Sequence, residues 1–295
     1  MKTNKSKGIS DHTIDIILLV IGIIIFLITV YPLYFAVIAS FSSPSAVAGG
    51  QVWLLPKSIT LEGYKRVFAD ERIWMGYRNT IFYTVAGTLI SLLFTLPAGY
   101  ALSRKDLVGR NVITMFFVFT MYFGGGLIPT YFVIDKFHLT DTIWVIILPF
   151  SVSVYHLIIT RTFFQSTIPA DLLEVAQLDG CSDFRFFVSI VLPLSKAIIA
   201  VIGLYCAVGQ WNQYFTSLVY VRNSDLMPLQ MVLREILLQN KAVSGAASVS
   251  NVELQKVGEI MKYAVIIVST VPIMCVYPFV QKYFNKGVMI GAIKG

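Results

Sequence analysis

Long apolar runs, each roughly twenty residues or more, alternate with shorter polar stretches along this chain. That length is what an α-helix needs to cross a bilayer core of ~30 Å. Six such runs are legible, at about 14–40, 79–103, 111–134, 142–163, 196–221 and 260–282. Each is expected to be helical, because hydrocarbon offers no partner to an unpaired backbone amide. Period-two alternation is absent, which argues against a β-barrel. The expected fold class is all-α: a polytopic membrane protein with six transmembrane helices, a tail at 1–13, a membrane domain at 14–282 and a tail at 283–295. Ala46-Val47-Ala48 looks like a signal cleavage site. The apolar run before it far exceeds a signal-peptide core, so it reads as a retained span.

Composition agrees: 56% of residues are hydrophobic and 13% charged, against roughly 25% charged in soluble domains. The net charge of +7 suits orientation signals and anionic lipid headgroups, and nothing suggests nucleic-acid binding. Arg104, Lys105 and Arg110 crowd one short connection, whereas the next, 135–141, mixes Asp135, Lys136, His138 and Asp141. Lys2, Lys5 and Lys7 precede the first run, and Lys282, Lys286 and Lys294 follow the last. The positive-inside rule then places both termini in the cytoplasm. Cys181, Cys206 and Cys275 form no disulfide framework. His12, His138 and His156 have no ligand spacing, so no metal site is expected.

External loops are expected at 41–78 and 222–259. Within the first, 61–74 is weakly amphipathic, with Tyr64, Phe68 and Trp74 as interface anchors in the headgroup region. Gly124-Gly125-Gly126 and Pro129 interrupt the third run, as a helix end or a hinge beside a cavity. The second loop holds a helical stretch from Leu226 to Leu238, then a small-residue tract, 244–250.

The cytoplasmic loop 164–195 carries the strongest signal. Pro169 fits the first position of a helix and Gly180 the position just past its end. Asp171 and Glu174 suit the dipole of its first turns. Leu172, Val175 and Ala176 are spaced to share a face, with Leu173 and Gln177 on the neighbouring strip. Leu192-Pro193 opens the next long element. On the residues alone this is either a surface helix lying on the membrane or a docking element for a soluble partner.

Glu174, Ala176, Asp179, Gly180, Ile190, Leu192 and Pro193 resemble the EAA loop of ABC-importer permeases, E-A-A-x-x-D-G followed by I-x-L-P. Val175 replaces the usual second Ala, Cys181 stands where Ala is common, and Ala197 stands near a frequent second Pro. Trp211-Asn212-Gln213-Tyr214 is similar to the W-N-x-[FY] stretch of sugar permeases, and Pro228-Leu229-Gln230 to their P-L-Q element. The ending from Tyr277 to Phe284, then Lys286-Gly287-Val288 and 291–295, resembles the second subunit of maltose permeases. The chain is identified as a member of that carbohydrate (MalG-like) permease family, in the branch serving complex oligosaccharides such as rhamnogalacturonan or alginate fragments.

The resemblance implies a type I ABC importer (MetI-like) permease fold in a bacterial cell membrane. It implies a heterodimer with a second, related permease, two ABC ATPase subunits, an extracytoplasmic solute-binding protein and a carbohydrate substrate. The chain has no G-x-x-x-x-G-K-[ST] phosphate loop, so ATP and Mg belong to the partner ATPase and the chain itself is not an enzyme and binds no cofactor. Implied ATPase-coupling residues are Glu174, Ala176, Asp179, Gly180 and Pro193. Glu174 would pair with a basic residue, Ala176 would permit close approach and Gly180 would end the helix. Candidate pathway residues are Asn212, Trp144, Tyr214, Tyr122 and Tyr155. Aromatic rings match sugar C–H faces, and an amide at membrane depth needs a partner. Ser244, Gly245, Ala246 and Ala247 lie where the family can insert a loop into its binding protein.

Three other readings are possible, of which a membrane enzyme is the weakest, since no nucleophile–base or metal constellation appears. A gradient-driven carrier favours intramembrane Asp, Glu or His, of which the runs offer little beyond His156 and Asp15. Within the importers, the solute could also be an amino acid, phosphate or metal.

Overall fold

The computed structural model describes residues 9–245, 261–275 and 278. Ala246, Ala247, the tail 283–295 and most of the C-terminal motif lie outside them. Among the described residues every regular element is helical. Helix α1 (Ile9–Ser40) is followed by the short α2 (Pro44–Ala48), α3 (Glu62–Ala69) and a second long helix, α4 (Glu71–Ser103). Pro32 and Pro97 lie inside α1 and α4, a tolerated position in membrane helices. α4 starts eight residues before the apolar run does, because the polar turn 71–78 continues the same helix.

The third run is not one straight helix. α5 (Arg110–Tyr122) and α6 (Leu127–Lys136) meet at 115°. Gly126 between them takes φ +83°, ψ 175°, a region essentially confined to glycine. The fourth run divides into α7 (Ile143–Ile147) and α8 (Val154–Thr167). Pro149 has no N–H for the carbonyl of Val145, which ends the first piece.

After α9 (Ala170–Leu178) and α10 (Asp183–Phe186), the chain widens into a π turn at Phe187–Val191 and closes with α11 (Leu192–Leu194). Pro193 offers no N–H to the carbonyl of Ser189 and its ring crowds that group, which accounts for the wide turn. An 83° bend at buried Ser195 leads into α12 (Lys196–Trp211). Leu192-Pro193 therefore closes one element instead of opening the next. The fifth run breaks again before α13 (Phe215–Tyr220). α14 (Leu229–Gly245) and α15 (Met261–Cys275) complete the described helices.

By length and composition α1 and α4 can each cross a membrane alone, and each of the two bent pairs adds one more crossing if it counts as a broken span. The chain groups into two compact units, residues 1–70 with 236–270, and residues 71–235 with 271–295. In the first, Ile38, Ala46 and Val52 form a small core. The second has two cores. One gathers Leu96, Tyr100, Phe164, Phe186, Phe187 and Ile202 around the loop that carries α9. The other joins Tyr83, Ile134, Val145 and Tyr220.

Candidate functional site

α9 is fixed at both ends by local chemistry. Pro169 is extended at ψ 140° and stands as the N-cap, one place before the expected first helical position. At the other end the amide of Gly180 donates to the carbonyl of Gln177 (3.0 Å) and that of Cys181 to Ala176 (2.9 Å). Gly180 takes φ +73°. This pair of bonds around a left-handed residue is a Schellman cap, in which glycine avoids the Cβ penalty. Ser182 then caps α10, accepting from the amide of Arg185 at 3.4 Å.

The faces of α9 differ from the expected division. Ala176 is only 8% exposed and, with half-buried Leu173, packs on the core containing Phe164 and Phe186. The close approach that Ala176 permits is therefore made with this chain's own core. Leu172, Val175 and Leu178 point away from it, Leu178 being 88% exposed. Asp171, Glu174 and Asp179 are exposed beside them, and Glu174 has no ion pair among the described residues. The outer surface is an apolar ridge edged with carboxylates on a helix that the inner surface holds in place. Pro193 sits on the same rigid wall, between the π turn and the bend.

Arg104 ties this wall to the end of α4. Its Nη1 donates to Asp183 at 2.6 Å and its Nε to Asp106 at 2.9 Å, and its side chain is 15% exposed. Hydrogen bonding to Arg104 holds the Asp106 carboxyl below the ordinary carboxylate range. Arg161 Nε donates to the carbonyl of Leu102 (3.1 Å), adding a second tie from α8. Tyr100 stacks on Phe187 at 5.1 Å and meets Phe164 edge-on at 5.9 Å.

A different set of polar groups, which sequence reasoning missed, organises residues 220–229. Asn79 Nδ2 donates to the carbonyls of Asp225 (2.7 Å) and Met227 (3.1 Å), Tyr83 to that of Leu226 (2.9 Å), and Thr80 accepts from the amide of Leu229 (2.7 Å). Asp141 Oδ1 accepts from the amides of Arg222 (2.9 Å) and Asn223 (2.8 Å). Those bonds, Asn223 first, lower the Asp141 pKa. Asn79, at the edge of an apolar run, was the available signal.

The five candidate pathway residues lie on different elements. Tyr122 ends α5, Trp144 lies in α7, Tyr155 near the start of α8 and Tyr214 between α12 and α13, all with exposed side chains. Asn212 caps α12, exposed to the outside of the chain instead of buried, and its Nδ2 donates to the carbonyl of Val208 at 2.9 Å. None of the five touches another through a hydrogen bond or ring contact among the described residues. His156 instead stacks on Tyr205 (5.5 Å) and approaches Cys206 Sγ (3.7 Å). Ser244 and Gly245 fall at the end of α14. No group of His, Cys, Asp and Glu among the described residues could hold a metal.

Comparison with known proteins decides the family. The profile described as "Binding-protein-dependent transport system inner membrane component" matches residues 73–290. The chain belongs to this family. The permease is 40% identical over 269 residues to Protein LplC of Bacillus subtilis, covering 91% of this chain and 90% of that one. It is 39% identical to the polygalacturonan/rhamnogalacturonan transport system permease protein YtcP of the same organism, over 91% and 94% of the two chains. Among solved structures it matches a chain of a bacterial ABC transporter involved in the import of the acidic polysaccharide alginate, with TM-score 0.86, 34% identity and coverage of 95% and 100%. The permease thus has the all-helical MetI-like fold and is an inner-membrane component of an ABC importer, not an enzyme. It works with a second permease, ATPase subunits and a solute-binding protein.

Proposed function

We propose that this permease forms half of the pathway for a complex oligosaccharide and that α9 is its coupling helix. The observation that carries the reading is the two-sided construction of α9: Leu173 and Ala176 locked into the core, Val175 and Leu178 bare beside Glu174. A helix held this rigidly transmits displacement into the Tyr100–Phe187 wall and, through Arg104, into α4. ATP shifts the transporter only through contacts that differ between its two states, so the ridge must stay engaged with the motor subunit while it moves. Glu174 pairs there with a basic residue, Asp179 and Gly180 hold the cap, and Pro193 shapes the wall. ATP and Mg bind the partner ATPase and no cofactor binds this chain.

The relatives that import acidic polysaccharides support an oligosaccharide substrate. Tyr122, Trp144, Tyr155, Asn212 and Tyr214 remain the proposed contacts, reached from several helices and completed by the second permease. Ser244 to Ala247 are proposed to meet the binding protein. Six crossings with both termini in the cytoplasm agree with two ties. The Arg104–Asp183 bond between loops 104–109 and 164–195 supports assigning both to one side. Asp141 with Arg222 and Asn223 brings the two alternate loops together.

The test is uptake of labelled oligosaccharides, acidic and neutral, by the reconstituted complex with its binding protein. Uptake of acidic fragments, abolished by Glu174→Ala at normal assembly, is expected. Uptake of no carbohydrate, or full coupling in Glu174→Ala, contradicts the proposal.

A further inference from the structure

We propose that the segment from Trp53 to Ile59 is a wedge seated in the interfacial zone of the bilayer, with phospholipid as its partner. The backbone is folded back along α1. Tyr31 donates its hydroxyl to the carbonyl of Trp53 at 3.2 Å, and Tyr34 to that of Leu54. The two tyrosines are three residues apart and share a face of the helix. They precede the end of α1 at Ser40 by nine and six residues, which at 1.5 Å per residue is about 9–14 Å below that end. The segment is therefore drawn down beside a helix that crosses the membrane, to the level where hydrocarbon gives way to headgroups.

Its own chemistry fits that level. Trp53, Leu54, Leu55 and Ile59 are 68–74% exposed, while Val52, just before them, turns inward onto Ile38 and Ala46. Several of the polar groups beneath them have partners within the chain. Trp53 Nε1 donates to the carbonyl of Gly50 (2.8 Å), the Lys57 amide to Ser42 Oγ (3.2 Å), Ser43 to the Lys57 carbonyl (3.1 Å) and Thr60 to Phe41 (2.9 Å). The amides of Leu54, Leu55, Ser58 and Ile59 have no partner among the described residues, which suits the hydrated headgroup zone and not the hydrocarbon core. Lys57 is exposed beside Pro56, placed for its ammonium to reach lipid phosphate while its stem lies along the acyl boundary. A tryptophan and a lysine in the short segment that follows a crossing helix match the pattern of interfacial anchoring. None of the most apolar window of α1 is buried among the described residues, so this chain leaves the surface that continues into the wedge uncovered. A water-soluble binding protein cannot reach side chains held at this depth. The inference needs only that α1 crosses the membrane and is independent of which sugar is carried.

The experiment uses the complete importer in lipid nanodiscs. Cys181, Cys206 and Cys275 are replaced, and Leu55→Cys carries a bimane fluorophore. Quenching is compared among lipids with a doxyl group near the headgroup end of the acyl chain, lipids with doxyl near the chain end, and aqueous iodide. The wedge predicts that the shallow doxyl lipid quenches at least about twofold more than either alternative. Dominant iodide quenching would place the segment in water, and protection from all three would place it against another subunit; either result overturns the proposal. The unaltered complex supplies a second readout. A phospholipid with a photoactivatable diazirine in its upper acyl chain should attach to the peptide containing residues 53–59, and absence of that adduct at full lipid labelling of α1 contradicts the wedge.

Discussion

Gly180 gives the sharpest quantitative test of how α9, the proposed coupling helix, is built. Its φ of +73° lies in the left-handed region, where an ordinary L-residue costs about 1–2 kcal/mol. A Cβ placed there meets nothing within 4 Å beyond its own chain neighbours, so the penalty is local to the backbone and involves no clash with the surroundings. Gly180→Ala should therefore weaken the cap by about 1–2 kcal/mol, roughly 5- to 30-fold in the population of the intact cap. Gly180→Asn should lose less, since asparagine tolerates this region, and Gly180→Val more, since a β-branched residue there is an outlier. If the turn relaxes to relieve strain, the bonds from Gly180 to Gln177 (3.0 Å) and from Cys181 to Ala176 (2.9 Å) go with it, at about 1 kcal/mol each. The assay is sugar uptake and binding-protein-stimulated ATP hydrolysis in proteoliposomes, at equal amounts of assembled complex. Activity should fall in the order Gly, Asn, Ala, Val. Asparagine as damaging as valine would mean that space for a partner, not backbone conformation, sets the requirement. Four equal activities would mean that the cap plays no part in coupling.

Three further outcomes follow from the geometry. A Cβ on Gly99 would lie 2.7 Å from Thr160 Cγ2, so Gly99→Ala should cost about 1–3 kcal/mol by overpacking; a thermal-shift double-mutant cycle should show partial rescue by Thr160→Ser, and strict additivity would contradict the contact. Asp183→Asn alone should cost about 1 kcal/mol or less, because Arg104 keeps Asp106 and the carboxylates are exposed; with Asp106→Asn added, the mostly buried guanidinium is stranded and the loss should exceed the sum of the single effects, to about 3 kcal/mol. The Asp141 carboxyl has a folded-state pKa below its unfolded value, so its clamp on Arg222 and Asn223 is complete above about pH 4 and is lost as pH falls through the lower folded value; hydrogen exchange of the 220–226 peptide should rise at acid pH in the parent, while Asp141→Asn should show the raised exchange already at neutral pH.

The α9 segment is legible in the sequence because its signals are local: a proline start, acidic first turns, a glycine stop and helical spacing of apolar residues. Sequence reasoning misassigned the faces because spacing cannot say which strip a distant core will take, and Phe164 and Phe186 claimed Leu173 and Ala176. The first apolar run reads almost directly as α1, since nothing interrupts it except a tolerated proline. The third, fourth and fifth runs are apolar throughout, so hydropathy saw continuity where Gly126, Pro149 and the Asn212 turn break the helix. The attachments of Asn79, Thr80 and Tyr83 were illegible for a different reason. They reach backbone atoms more than 140 positions away, and no local pattern encodes a partner at that distance. Aromatic side chains at membrane depth serve packing, lipid contact and sugar binding alike, so no local pattern singles out the pathway.

Cross-linking from Leu178 tests the central claim most directly. With a cysteine at that position, in the assembled importer with its native cysteines replaced, a short thiol-reactive cross-linker should join the permease to the ATPase subunit, and ATP should change the yield. A position 178 that stays uncoupled to the ATPase, or that reacts with a membrane-impermeant thiol reagent applied from the binding-protein side, would contradict it.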